Sequence, residues 1–213
     1  MTLPDRLEAL LGVLQPCRLL ADIGTDHGLL PIAAVQRGVA AAAIGIDREA
    51  PLAQARQNWE AAGSPTGIAW VTGLGLAALA DWRPDAVAIA GMGAGTMIEI
   101  LDTPSWRATQ LILQPNTQPA RVRTWAYLNG WHLRAEQLVE DRERTYAVMA
   151  YEAGGGPDPA YQRADFTAAE LALLGPLLLA QRDAGTLAYY QAQHLRLLDV
   201  GGHEAEVWGR ALV

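Results

Sequence analysis

The chain has 213 residues and a mass of 22.8 kDa, room for one α/β domain of about 150 residues and a smaller appendage. Hydrophobic residues make up 51% and charged residues 18%, which excludes wholesale disorder. The net charge is −7 and all 16 basic residues are Arg, so a polyanionic partner would have to be met by a local basic cluster, not by overall charge.

At the N-terminus, Asp5, Arg6 and Glu8 stand where an export signal needs a basic start and an apolar stretch. The apolar run Leu171 to Ala180 is interrupted by Gly175-Pro176 and falls short of the ~20 residues a membrane span requires. The expectation is a cytoplasmic protein with no membrane contact. A single cysteine, Cys17, and four histidines, His27, His132, His194 and His203, lack ligand spacing, so neither a disulfide nor a structural metal is expected.

Short apolar runs then alternate with amphipathic stretches, the pattern of a parallel sheet covered by helices. Strands are expected at Leu19–Ile23, Ala42–Asp47, Ile68–Thr72, Ala86–Ala90 and Gln110–Leu113, with helices at Leu29–Arg37, Pro51–Ala62 and Thr96–Leu101. A helix from Pro119 to Leu128 follows, and the runs His132–Val139 and Tyr146–Glu152 around Asp141-Arg142-Glu143-Arg144 suggest a β-hairpin. Gly154 to Pro159 reads as a linker, and Thr167–Arg182 and Thr186–Leu198 as two helices of a hairpin. Its seam would be Leu171, Leu174, Leu178, Leu187, Tyr190, Leu195 and Leu198. Tyr189 and Trp208 serve either packing or base stacking. The domain boundaries implied are 1–153 and 160–213.

Chemistry concentrates at the expected carboxyl ends of the strands, where open α/β sheets bind ligands. In Asp22-Ile23-Gly24-Thr25-Asp26-His27-Gly28, Gly24 permits a tight turn. Asp26 occupies the place of the second glycine of a dinucleotide fingerprint and disfavours a pyrophosphate. A sulfonium cofactor with an ammonium tail suits Asp22 and Asp26 better; the plain alternative is a strand-to-helix turn with an Asp cap. Asp47 follows Gly24 by 23 residues, close to the ~20-residue offset of a ribose-binding acid; it would otherwise cap the next helix. Gly91-Met92-Gly93 lets a flat group lie against the backbone. Gln114-Pro115-Asn116 ends the fifth strand, where the Asn116 amide offers a donor and an acceptor to a base edge. The densest basic feature, Arg121, Arg123, Arg134, Arg142 and Arg144, suits either phosphates or an ion-paired surface with Glu140, Asp141 and Glu143.

Taken together, Asp22 to His27, Ile89-Ala90-Gly91-Met92-Gly93, Leu111 to Asn116, and Glu140-Asp141 followed by Tyr146 resemble the TrmK family of bacterial tRNA (adenine-22-N1)-methyltransferases. The likeness runs from about Leu3 to Glu152 and continues through Gly175 to Leu178 and Tyr189 to Leu198, which resemble the start of that family's C-terminal coiled coil. The resemblance implies a Rossmann-like class I fold for S-adenosylmethionine (SAM)-dependent methyl transfer, with a small C-terminal helical hairpin. It places Asp22, Gly24, Asp47, Leu74, Gly91, Met92 and Gly93 around SAM, turns Asp26, His27 and Asn116 toward the target base, and makes tRNA the partner. Two departures stand out: Leu74 replaces the family's Asp or Asn, losing a side-chain hydrogen bond to the cofactor's adenine. The tail after Gly154 carries 4 Arg against 7 acidic residues, and its end soon after Asp199 implies a shortened appendage. Methyl transfer to another RNA or a small molecule, and a noncatalytic SAM-binding or RNA-associated module, are the competing readings.

Overall fold

The computed structural model describes residues 2–198 and 202–213. Among the described residues, seven strands form one sheet in the order β3-β2-β1-β4-β5-β7-β6. The first five are β1 (Cys17–Ile23), β2 (Ala40–Asp47), β3 (Ile68–Thr72), β4 (Ala86–Gly93) and β5 (Gln110–Thr117), all parallel. β6 (Trp131–Asp141) and β7 (Arg144–Ala153) close the sheet as an antiparallel hairpin, with β7 against β5. Strand order reverses between β1 and β4, which puts a crevice at their carboxyl ends.

Alternation along the strands builds two cores. Ala21, Ile23, Ile44, Ile46, Val87, Ile89, Leu111, Leu113, Met149 and Tyr151 face one side. There they meet α4 (Ala94–Leu101) and α5 (Pro119–Leu128). The other side presents smaller residues, Ala43, Ala86, Ala88 and Ala150 with Leu20 and Ile112. These leave room for α1 (Asp5–Val13) and α2 (Leu29–Gln36), while α3 (Glu49–Ala61) covers β2 and β3. Burial on both faces explains why these strands read as continuous apolar runs.

The helix α1 was not foreseen; its Leu10 and Leu11 are buried against the sheet. β4 and β5 run on through Gly93 and Thr117, past their expected ends, because a bulge at Gly91 keeps them paired despite their Gly, Pro and Asn content.

The C-terminal segment differs most from expectation. The stretch Thr167–Arg182 is two helices, α6 (Ala168–Leu174) and α7 (Pro176–Gln181), broken at Gly175 with φ +92°. Pro176 disfavours a helical conformation in the residue before it, and its ring cannot continue α6. The helical hairpin consists of α8 (Ala184–Leu198) and a further helix, α9 (His203–Ala211). Leu171, Leu174, Leu178 and Tyr190 are buried as expected, but Leu195 and Leu198 are more than half exposed. Trp208 packs edge-on against Tyr189 and Tyr190 and is itself buried, so it serves the core. Asp199 lies outside the described residues.

Arg123 and Glu136 tie this segment to the sheet. Both are buried, with Nε to Oε1 at 2.6 Å. Arg123 donates to the Ala172 and Leu173 carbonyls at the end of α6. Glu136 accepts from the Leu177 and Leu178 N–H groups at the start of α7. The broken helix thus presents a negative end to a cation and a positive end to an anion.

Candidate methyl-transfer site

The carboxyl ends of β1, β2, β4 and β5 converge on one edge of the sheet. After β1 the chain turns sharply at Gly24, φ +73°, and Asp26, φ +50°. Both Gly24 and Thr25 donate to the Ile46 carbonyl, which fixes the turn beside β2. A Cβ on Gly24 would lie 2.2 Å from Met92 Cε, the movable end of that side chain, so the first and fourth strand ends touch, and the left-handed φ favours glycine there.

Asp22 is 5% exposed and accepts a 2.6 Å hydrogen bond from the Thr25 hydroxyl. Burial raises its pKa to about 7, the Thr25 hydrogen bond opposes this, and the negative charge of Asp47 adds to it. Asp47 accepts from the Asp26 N–H at 3.0 Å and the Arg48 N–H at 2.7 Å. Its carboxylate therefore joins the two turns and keeps lone pairs for a ligand. The Asp26 and His27 side chains are exposed, with Oδ2 and Nε2 3.4 Å apart. Leu74, after β3, is 73% exposed.

Gly91 adopts φ +75° at the bulge, and no atom lies within 4 Å of where a Cβ would stand. Side chains of β5 hold its peptide groups. Gln114 Oε1 accepts from the Gly91 N–H at 3.2 Å, while Asn116 Nδ2 donates to the Gly91 carbonyl at 2.6 Å. Gln114 Nε2 also donates to Asn116 Oδ1 at 3.2 Å. Asn116 is thus half committed to the protein; one N–H and one lone pair remain toward solvent.

Two residues of this edge were missed from sequence. Gln114 is 1% exposed, and Arg6, from α1, reaches it with Nη1 3.3 Å from Oε1. Arg6 Nε also bonds Asp141 Oδ2 at 2.6 Å, and its guanidinium lies 5.0 Å from the Tyr146 ring centre. The motif Gln-Pro-Asn marked the neighbourhood of Gln114; nothing local in sequence marks Arg6.

The five-arginine cluster does not assemble. Arg123 is committed to Glu136, and Arg134 donates to the Val13 carbonyl. Arg121, Arg142 and Arg144 remain exposed. Arg121 lies in the first turn of α5, just after β5, and the other two lie at the hairpin tip, where Arg142 and Glu143 both have positive φ in a two-residue turn and Arg144 follows. All three therefore lie at the crevice edge of the sheet. Among the described residues, no group of three or more His, Cys, Asp or Glu is arranged to hold a metal. No described helix is long and apolar enough to cross a membrane.

A family profile described as a methyltransferase domain matches residues 3–149. The tRNA (adenine(22)-N(1))-methyltransferase of Bacillus subtilis strain 168 is 32% identical over 188 residues, 86% of this chain and 78% of the relative. The crystal structure of the B. subtilis m1A22 tRNA methyltransferase TrmK superposes with a TM-score of 0.85 at 26% identity, covering 100% of this chain and 99% of that one. Streptococcus pneumoniae Sp1610, crystallised with S-adenosyl-L-methionine, gives 0.86 at 26% identity with both chains fully covered. Among the described residues, α9 follows α8 and packs against it. With the sheet order, the crevice and these likenesses in agreement, the chain belongs to the tRNA (adenine(22)-N(1))-methyltransferase family.

Proposed function

We propose that the chain transfers a methyl group from SAM to N1 of adenine 22 in tRNA. The observation that carries this is the 32% identity to the B. subtilis enzyme over 86% of the chain, joined to a crevice whose carboxylates suit the cofactor. Asp22, Asp26 and Asp47 supply negative charge at one sheet edge, matching a ligand with a sulfonium and an ammonium group. Open backbone at Gly91 accommodates a close-lying group.

When bound, SAM supplies an electrophilic methyl carbon, which the adenine N1 lone pair takes as the carbon–sulfur bond breaks. The protein's task is alignment and exclusion of water. Asp47 receives the ribose hydroxyls, Asp22 faces the ammonium, and the Gly91-Met92-Gly93 backbone lies beside the methyl donor, with Gly24 closing the turn. Leu74 offers the cofactor's adenine a backbone N–H and apolar surface. N1 lies on the Watson–Crick edge, so the base must leave its stack to reach the crevice. There the free N–H and lone pair of Asn116 orient it. Methylation at N1 places positive charge on the adenine; Asp26, beside His27, stabilises that charge or takes the N6 proton through water.

Incubation with isotopically labelled SAM and unmodified bacterial tRNA, followed by digestion and mass spectrometry, tests this reading. Label is expected as N1-methyladenosine at position 22. In Asp26→Ala, turnover should fall roughly 10²–10³-fold with SAM affinity retained. Unchanged turnover would remove Asp26 from the chemistry. Absence of label with SAM binding intact would point to another substrate, and absence of binding to a noncatalytic module.

The exposed Arg142 and Arg144 are assigned to tRNA phosphates. Replacing both with Gln should raise KM for tRNA and reduce the slope of log K against log salt by about 1.4–1.8, since each phosphate no longer neutralised accounts for about 0.7–0.9. SAM affinity should not move. An unaltered salt slope would return these residues to the solvated surface.

A further inference from the structure

We infer that Arg6 is a positioning residue which sets the direction of a two-amide relay, Gln114 to Asn116, and through it the bulge at Gly91. The inference rests on the proposed methyl transfer for its kinetic consequence, but its geometry is independent of it.

An amide side chain packed in a strand can be turned either way unless its neighbours distinguish oxygen from nitrogen. At Gln114 two donors meet the same atom. The Arg6 guanidinium approaches Oε1 at 3.3 Å and the Gly91 N–H at 3.2 Å. Turned over, Gln114 would present an NH2 group to a cation and to an N–H, leaving a nearly fully buried polar group opposed by like partners. With Oε1 fixed toward Arg6, Nε2 must point along the strand, where it donates to Asn116 Oδ1 at 3.2 Å. That sets Asn116 in turn, so that its Nδ2 meets the Gly91 carbonyl at 2.6 Å.

Gly91 lies at the register shift of the β4–β5 ladder. The amide pair holds its N–H and carbonyl in place, and Arg6 stands at the head of that chain. Arg6 is itself held. Its Nε is bonded to Asp141, whose side chain is 15% exposed against 29% for Arg6, and its flat face lies over Tyr146. A planar guanidinium can serve all three neighbours at once, donating from two edges while stacking on a ring. The consequence at the reacting edge is that the free N–H and lone pair of Asn116 point in one sense before any base arrives.

The test is a kinetic cycle of Arg6→Met, Gln114→Ala and the double variant, with Arg6→Lys as the conservative replacement. Arg6→Met should lower kcat for tRNA methylation roughly 10- to 100-fold, the scale of a misplaced reacting group. SAM affinity by calorimetry should change less than kcat does, since Asn116 faces the base while the Gly91 peptide held by the pair lies beside the methyl donor. Arg6→Lys should recover part of the loss by restoring a cationic donor to Oε1. The double variant should be no slower than the slower single variant, because both break one chain.

Side-chain amide resonances of Gln114 and Asn116 in 15N-labelled protein supply a readout that needs no substrate. Both should shift in Arg6→Met, while the Tyr190 amide in the distant helical core stays put. Additive kinetic losses, or amide resonances that ignore Arg6→Met, would overturn the relay. Should the wild-type chain leave tRNA unmethylated, the proposed function falls and the resonances still decide the relay.

Discussion

An Asp22→Asn protein is expected to be more stable than the wild type at pH 8 and to bind SAM far more weakly. Asp22 is buried beside the Thr25 hydroxyl with its pKa raised to about 7, whereas the unfolded chain titrates near 3.9. Between about pH 4 and 7 the folded state holds a proton that the unfolded state has released, so stability falls as pH rises through that window. Above it the apo protein carries a buried carboxylate at full cost, about 4 kcal/mol for a three-unit displacement at 1.36 kcal/mol per unit. Asparagine keeps an acceptor for Thr25 and removes the charge. Urea unfolding should show a gain of about 2–4 kcal/mol at pH 8 that vanishes near pH 4.

The same change deletes the anion proposed to face the cofactor's ammonium, so SAM affinity should drop roughly 10²-fold at pH 8. In the wild type, binding favours the ionised carboxylate, and the dissociation constant should rise by up to about tenfold per pH unit below 7. Calorimetry in buffers of different ionisation enthalpy should record proton release near neutrality. Equal stability and equal affinity of the two proteins at pH 8 would remove Asp22 from both roles. The residue exemplifies a site acid kept at the expense of stability.

A second large effect is expected at Glu136. Glu136→Gln retains the shape but leaves the buried Arg123 cation, 2.6 Å away, without its counter-charge. Two α7 N–H groups also lose their shared anion. Breaking one partner of such a pair costs about 3–5 kcal/mol, and the urea midpoint should fall accordingly. Glu8→Gln, which breaks the exposed pair with Arg37 at 2.6 Å, should change the midpoint little. A small effect at Glu136 would mean that water or rearrangement relieves Arg123. Arg123→Met with Glu136→Leu should recover only part of the loss, because the ends of α6 and α7 would remain uncapped.

Much of the sheet was legible because parallel strands buried on both faces spell themselves as apolar runs. β3 and α5 fall at their expected bounds, Ile68–Thr72 and Pro119–Leu128. The crevice was legible too, since Gly24, Asp47 and Gly91 carry backbone or spacing signals that do not depend on distant partners. What was not legible depended on partners far away in sequence. Arg123 looked like surface charge until Glu136, on a different element, enclosed it. α1 hid behind charges read only as arguments against export. α9 hid in a polar stretch whose buried Ala205, Val207, Trp208 and Ala211 make a narrow stripe. The α6–α7 break was written in Gly175-Pro176 and masked by the apolar run around it.

The contacts made by α1 also bear on how the molecule comes into being. Arg6 meets Gln114 and Asp141 across 108 and 135 positions of chain, so α1 makes these contacts only after the hairpin has been synthesised. At about 5–20 residues per second, that interval lasts roughly 5–30 s. Until then Leu10 and Leu11 have only the earlier part of their cluster to meet, Leu20, Leu30 and Ala33 among it. Docking of α1 is thus expected among the last steps of folding, slowed by long loop closure. A chain released before residue 146 would lack β7, leave β6 without its partner, and present the five parallel strands alone with an unset crevice.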